Sequence, residues 1–144
     1  MPAYADASFL VAIYTPQSDS TKALAWMQRA TEALPFTPLH HHELRNAIRL
    51  RVFRREITNT QRSTAIQEYE SDLEDAILAQ IPLPWTDLFR EAEHLGSTYT
   101  ESLGNPGMDI LHVAAALILA STEFLTFDIR QAGLANAVGL KVRP

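Results

Sequence analysis

The chain has 144 residues, a net charge of −5 at neutral pH and no cysteine. Without cysteine, disulfides, thiolate metal ligands and cysteine nucleophiles are excluded. A hydrophobic fraction of 47% with 20% charged residues predicts one soluble globular domain over residues 1–144. The longest apolar run, residues 113–120, is too short to cross a bilayer, and the N-terminus lacks the pattern of a signal peptide. We therefore expect a cytoplasmic protein that does not bind membranes.

Strand and helix patterns alternate along the chain. Short apolar segments predict strands at residues 3–5, 34–39, 81–85, 123–128 and 140–142. Segments with helical periodicity lie at residues 8–14, 20–33, 40–56, 60–80, 86–99, 109–120 and 129–138. Strands that alternate with helices are typical of an α/β fold, in which a mainly parallel sheet is covered by helices on both faces.

Helical periodicity also predicts which side chains are buried. Leu24 and Phe89 fall on the apolar faces of their helices and are expected to point inward. The first helices also carry large aromatic residues that would serve either the core or a partner surface, and the sequence leaves both readings open for Phe9, Tyr14 and Trp26.

Carboxylates recur at positions where strands end or helices begin. Asp6 ends the first predicted strand, and Asp128 ends the fourth. Glu43 lies in the first turn of the helix that follows the second strand, and Asp109 opens the apolar helix before the fourth strand. Each acid alone is more simply explained as a helix cap or a solvated turn. Ligands of an open parallel sheet bind beyond the carboxyl ends of its strands, so together the acids indicate a common site.

A site of this composition has a natural ligand. Clustered carboxylates repel one another, and a divalent cation offsets that repulsion. Mg²⁺, or alternatively Mn²⁺, suits a cluster of oxygen ligands without histidine or cysteine. Such an ion activates water and polarises phosphoryl oxygens, so a phosphodiester is the expected substrate.

The same residues carry a family resemblance. The chain has Asp-Ala-Ser at 6–8, His-Glu-Leu-Arg-Asn-Ala at 42–47, Met-Asp-Ile-Leu-His-Val-Ala-Ala-Ala at 108–116 and Leu-Thr-Phe-Asp at 125–128. In this order and spacing the segments resemble a PIN domain, and within that family they are most similar to VapC-type toxins. The resemblance extends from residue 6 to residue 142.

The resemblance implies a PIN-like three-layer α/β/α sandwich and a metal-dependent endoribonuclease that is the toxin of a type II toxin–antitoxin system. It implies an acidic centre in which Asp6 and Asp109 bind Mg²⁺ directly, while Glu43 and Asp128 hold waters or a second ion. Ser8, Asn46 and Thr126 would support this centre. The implied partners are an RNA substrate, a VapB-like antitoxin and a second copy of the chain.

Five arginines fall within the predicted helix 40–56 or at its end: Arg45, Arg49, Arg51, Arg54 and Arg55. They form either a solvated helix face or a local basic patch that binds RNA phosphates. We expect Arg45, Arg49 and Arg55 to contact RNA, because guanidinium groups bind phosphates with paired donors.

Other readings of the sequence are less favoured. His40, His41 and His42 cannot all bind one ion from consecutive helical positions, and surface histidines at a helix start are expected instead. His112 is expected to be a buried residue that supports the site. A phosphoacceptor receiver domain would need paired acids after the first strand, where Asp6 stands alone. A catalytically inactive PIN-like module that only binds a partner is the main alternative, although it would be expected to have lost at least one acid.

Overall fold

A computed structural model describes residues 2–144 of the chain. The strands are β1 (Ala3–Ala5), β2 (Leu34–Phe36), β3 (Leu78–Gln80), β4 (Glu123–Leu125) and β5 (Lys141–Arg143). The helices are α1 (Ala7–Tyr14), α2 (Ser20–Arg29), α3 (Pro38–Phe53), α4 (Asn59–Glu74), α5 (Trp85–Leu95), α6 (Glu101–Leu103), α7 (Gly107–Ile118) and α8 (Ile129–Ala137). A π-helical segment, Gly96–Thr100, joins α5 to α6.

All strand pairs of the described chain are parallel. Strand β4 pairs with both β1 and β5, and Tyr4 lies opposite Phe124 in the first of these ladders. Strands β2 and β3 form a second ladder, with Phe36 opposite Gln80, and β2 lies beside β1. The carboxyl ends of the strands therefore point to one edge of the sheet, as the alternating pattern predicts.

Helices cover both faces of the sheet. Along β1, Ala3 and Ala5 pack into a core with α1, α3 and α4, whereas Tyr4 packs into a second core with α5, α7 and α8. This alternation is the two-residue period of a strand that is buried on both faces. The predicted three-layer α/β/α sandwich is therefore confirmed.

The third strand differs from the prediction. It spans Leu78–Gln80, whereas residues 81–85 form a connection that contains two prolines. The preceding helix ends at Glu74 rather than at residue 80, because Ala76 adopts a left-handed conformation with φ 58°. Leu78 is then free to pair with Leu34. No glycine or proline in the sequence signals this helix end.

Some helices bury different side chains from those predicted. Leu24 is 45% exposed and Ala23 is buried in its place, and Phe89 is 56% exposed. On α2 the buried position therefore lies one residue before the predicted one, whereas on α5 Leu88 and Leu95 are buried and only Phe89 was placed wrongly. The aromatic residues of the first helices belong to the core, because Phe9 and Tyr14 are buried and Trp26 packs edge-on against Phe9.

The apolar helix α7 carries the centre of the second core. Residues 112–116 are buried in it, as the uninterrupted apolar sequence predicts. Pro106 occupies the N-cap position, so Asp109 is not the cap and lies inside the first turn of the helix. Within residues 2–144, none of the helices combines the length and apolar character that a bilayer span requires.

Candidate active site

The first acid, Asp6, is held rigidly between β1 and α1. Its Oδ1 accepts hydrogen bonds from the Ser8 hydroxyl at 2.6 Å and from the Phe9 N–H at 3.0 Å, which caps α1. The Thr126 hydroxyl donates to Oδ2. Burial raises the pKa of the Asp6 carboxyl to about 6, and these hydrogen bonds limit the rise. Asp6 is therefore a preorganised carboxylate whose charge is costly unless a cation is present.

The fourth acid, Asp128, is joined to Asp6 through Thr126. The Thr126 hydroxyl that donates to Asp6 also accepts the Asp128 N–H at 2.9 Å. Asp128 caps α8, where its Oδ1 accepts the N–H groups of Arg130 at 2.8 Å and Gln131 at 3.2 Å. Ser8 and Thr126, which the resemblance implies as supporting residues, both contact the first acid.

The third acid, Asp109, lies in a more open setting on α7. The Asn105 amide points toward its Oδ2 at 3.4 Å and donates to the Arg130 carbonyl at 2.9 Å. Burial raises the pKa of Asp109, the negative charges of Asp128 and Glu43 raise it further, and Asn105 and Arg130 lower it. Asp109 is therefore near enough to both Asp128 and Glu43 to feel the repulsion of their charges.

Glu43, the second acid, faces a buried histidine. His112 Nε2 lies 3.4 Å from Glu43 Oε2, and its Nδ1 lies 2.7 Å from the Tyr4 hydroxyl. The distance between Nε2 and the Glu43 oxygen is too long for a well-formed hydrogen bond, and Nε2 has no other partner among the described residues. Because a carboxylate only accepts, the favoured tautomer carries its proton on Nε2 and accepts the Tyr4 proton at Nδ1. His112 is thus buried, as expected, and faces the second acid, while its supporting role stays a prediction.

The four acids fit a hard divalent cation in chemistry. All their ligand atoms are oxygens. The acidic neighbours of Asp109 destabilise its charged form, and a bound cation would relieve this repulsion. Buried Asn105 adds a side-chain oxygen without a hydrogen-bond partner beside Asp109. Across the described chain, however, no three histidine or carboxylate side chains form a ready-made metal-binding cluster.

The histidine run at the start of α3 divides into two kinds of residue. His41 and His42 are exposed, as expected, but His40 is fully buried. Its Nδ1 accepts the Thr37 N–H at 2.9 Å, and its Nε2 contacts the Ala5 carbonyl at 2.7 Å. Burial and the neighbouring His112 lower the pKa of His40 to about 3. The expectation of a surface residue was wrong here, because this neutral ring ties α3 to β1.

The arginines of α3 do not form one patch. Arg45 and Arg49 line a groove on one side of the helix, together with Asn46. Arg51 and Arg54 line a second depression on the other side, next to Ser8 and Asp128.

The remaining arginine, Arg55, lies past the end of α3 in a shallow depression with Ile57 and Thr58, apart from both. Asn46, predicted to face the acids, lines the groove instead, and no described hydrogen bond joins it to them.

Three residues of the site were missed from the sequence. Tyr4 lies in a short segment with little β preference, and Asn105 lies in a Gly-Asn-Pro segment that predicts only a turn. Gln131 is buried on α8 and its amide donates to the Asp109 carbonyl at 3.3 Å. Only the polar character of Gln131 on the buried side of a helix could have pointed to it.

Comparisons with known proteins give structural matches only. No protein-family model and no curated sequence matches the chain. VapC20 of Mycobacterium tuberculosis, described as a toxin that cleaves the sarcin–ricin loop, is 14% identical, with a TM-score of 0.71 over 99% of both chains. FitAcB from Neisseria gonorrhoeae is 15% identical, with a TM-score of 0.63 over 99% of this chain and 96% of that chain.

VapBC-1 from nontypeable Haemophilus influenzae is 13% identical, with a TM-score of 0.66 over 99% of this chain and 97% of that chain. Identities this low establish the fold alone. The agreement covers essentially the whole chain in each case and coincides with the parallel sheet and the two helical layers described above. The chain therefore has the PIN-like fold of the VapC toxins.

Proposed function

We propose that the chain is a Mg²⁺-dependent endoribonuclease that hydrolyses RNA phosphodiesters with an activated water. The observation that carries this proposal is the position of Asp109, which is partly buried and near enough to Asp128 and to Glu43 that, after burial, their negative charges also raise its pKa. Asp6 joins them through Thr126, which contacts both Asp6 and Asp128. Four acids from separate parts of the chain thus share one edge of the sheet.

In this proposal Asp6 and Asp109 hold the ion, with Mn²⁺ as a substitute, while Glu43 and Asp128 bind waters or a second ion. The bound ion supplies Lewis-acid activation of water and stabilises charge on the phosphoryl oxygens. Ser8 and Thr126 keep Asp6 in one orientation through its two oxygens. We assign the proton of the attacking water to the Glu43 carboxylate, which faces His112 Nε2 at 3.4 Å.

We further propose that the chain is the toxin of a toxin–antitoxin pair, with a VapB-like antitoxin as its partner, and that it acts as a homodimer in the cytoplasm. The sequence resemblance supports these assignments, and the structural similarity to VapC20, FitAcB and VapBC-1 supports the toxin and its antitoxin partner. The alternative is an inactive PIN-like module that only binds a partner.

Induced expression in a bacterial host separates the two functions. Wild type and Asp109→Asn are expressed at equal levels, and growth is followed after induction. A nuclease toxin arrests growth only as wild type, because the neutral amide lacks the negative charge with which the carboxylate holds the ion. Identical growth with the two proteins, arrested or not, contradicts the nuclease and favours the binding module.

A further inference from the structure

A groove of about 810 Å³ lies beside α3, outside the four acids. Its walls include apolar groups of Pro38, Ile81 and Pro82, and its charged groups are Arg45 and Arg49. No aspartate or glutamate lines it, although the chain as a whole carries a net charge of −5. The groove is therefore a cationic and apolar surface on an acidic protein.

The groove opens at the same edge of the sheet as the acids. Phe36 ends β2, Gln80 ends β3, and both line the groove. Asp6 and Asp128 follow β1 and β4 of the neighbouring ladder, and His40, just after β2, contacts the carbonyl of Ala5 at the end of β1 at 2.7 Å. Helix α3 stands between the two regions, because Ala47, one turn after Glu43, lines the depression that contains Asp128.

The two arginines of the groove have different environments. Arg45 is fixed against α4, where its Nη2 lies 2.6 Å from Glu70 Oε1 and its guanidinium lies 5.8 Å from the centre of the Tyr69 ring. Arg49 follows one helical turn later and is exposed. Within residues 2–144 it has no ion pair and no hydrogen bond through its side chain, so its charge is available to a ligand.

We infer that this groove binds the unpaired RNA segment next to the cleaved phosphodiester, with a phosphate on Arg49 and a base against Ile81 and Pro82. The assignment rests on the proposed function. The carboxylates repel the RNA backbone, so affinity for RNA has to come from cations nearby. Apolar walls with free donors suit an unstacked base, which a double helix does not present.

The size and charge of the groove favour this ligand. Its volume lies within the range of about 300–1,000 Å³ that is usual for small-ligand sites, which accommodates a nucleotide. An acidic peptide would also find Arg49, but it has no planar base for the apolar wall. Competition with a glutamate-rich peptide therefore distinguishes the two ligands.

The test measures binding of a fluorescein-labelled single-stranded RNA of about 12 nucleotides, a length within known single-strand site sizes. The protein is full-length Asp109→Asn, which binds without cleaving. Groove variants are Arg49→Ala and Ile81→Glu. Matched controls are Arg29→Ala, exposed at the opposite edge of the sheet, and Ile77→Glu, 43% exposed before β3. Arg54→Ala tests the depression on the other side of α3.

We expect Arg49→Ala and Ile81→Glu to weaken binding about fivefold or more, and Arg49→Ala to reduce the salt dependence by about 0.7 in the log–log slope. Arg29→Ala and Ile77→Glu should stay within about twofold, since neither position lies near the groove. Thermal unfolding of each variant shows whether it folds. Because Arg49 is exposed, its replacement by alanine should change RNA binding without disturbing the packing of the protein.

Several outcomes overturn the inference. Unchanged binding in both groove variants overturns it while leaving the nuclease intact, provided the parent binds and wild type cleaves. A larger loss in Arg54→Ala than in Arg49→Ala places the RNA on the other side of α3. Equal displacement by the glutamate-rich peptide makes the groove a general anion site. If wild type neither binds nor cleaves RNA, the proposed function fails and this inference fails with it.

Discussion

The Tyr4 hydroxyl lies 2.7 Å from Nδ1 of His112, a contact between the central strand β1 and the buried helix α7. Burial raises the pKa of Tyr4, so the hydroxyl keeps its proton and can donate it to the ring. The other ring nitrogen then carries its proton toward Glu43. Tyr4, two residues before Asp6, thereby fixes the buried ring that faces a predicted catalytic acid.

Replacing Tyr4 with phenylalanine should remove this hydrogen bond without opening a large cavity. His112 Nδ1 is then left buried without a donor, which should lower the free energy of unfolding by about 1–3 kcal/mol. Urea unfolding measures the loss, and ¹⁵N chemical shifts of His112 report its tautomer. Tyr99→Phe, at a partly exposed hydroxyl 3.4 Å from the Ala137 carbonyl, is the control. Equal stability of the two variants would mean that Tyr4 does not fix the ring.

Thr126→Val should break the link between the first and fourth acids. Valine matches the shape of threonine but can neither donate to Asp6 nor accept from the Asp128 N–H. We expect a loss of about 1–3 kcal/mol in the free energy of unfolding at neutral pH, because buried polar atoms lose their partners. Thr126→Ser keeps the hydroxyl and should retain most of the free energy of unfolding that the valine variant loses. A valine variant as stable as the serine variant contradicts this role.

The buried Asp6 should make stability depend on pH. Its pKa is about 6 in the folded protein and near 3.8 when unfolded, so the unfolded chain loses its proton first as pH rises. The free energy of unfolding should therefore fall between about pH 4 and pH 6, and the total loss should reach about 3 kcal/mol at a pH well above both pKa values. Asp6→Asn lacks this ionisation, so it should be more stable than wild type at pH 7.

Urea unfolding at several pH values, without divalent cations, tests this directly. The advantage of Asp6→Asn over wild type should shrink steadily as the pH is lowered from 7 toward 5. An advantage that stays constant over this range would mean that the Asp6 carboxyl does not have a raised pKa.

Mg²⁺ should stabilise the folded protein if the four acids bind it. A ligand present at about 100 times its dissociation constant adds about 2.7 kcal/mol to the free energy of unfolding, or about 5 °C or more in melting temperature. Asp109→Asn should lose most of the shift, and NaCl at equal ionic strength should not produce it. The same shift in wild type and Asp109→Asn would point to binding elsewhere.

The sequence predicted the sheet, the layers and the positions of the acids, because these depend on strong signals. Residues 124–127 contain the β-favouring Phe124, Thr126 and Phe127. From residue 110 to its end, α7 is apolar except for His112. Asp6 follows β1 directly and Asp128 lies three residues after β4, so an approximate fold suffices to place them at one edge. Their contact through Thr126 needs only the pairing of β1 with β4.

The errors occur where tertiary packing decides. His40 looks like a surface residue in a histidine run, yet its position three residues after Thr37 makes it part of a capping box that faces β1. The arginines of α3 look like one patch in sequence, but a helix turns by about 100° per residue and separates them onto two sides. Asn105 gives no signal beyond a turn, because its partners are distant in sequence.

Cleavage of RNA in the presence and absence of metal tests the central proposal most directly. Wild type, Asp6→Asn and Asp109→Asn are incubated with a pool of structured RNAs, with Mg²⁺ and with EDTA, and the products are separated by length. We expect discrete fragments only with wild type and Mg²⁺, and a loss of at least about a hundredfold in each variant, since a ligand of the ion is removed. Cleavage that persists in EDTA, or that both substitutions leave unchanged, would contradict the proposed mechanism.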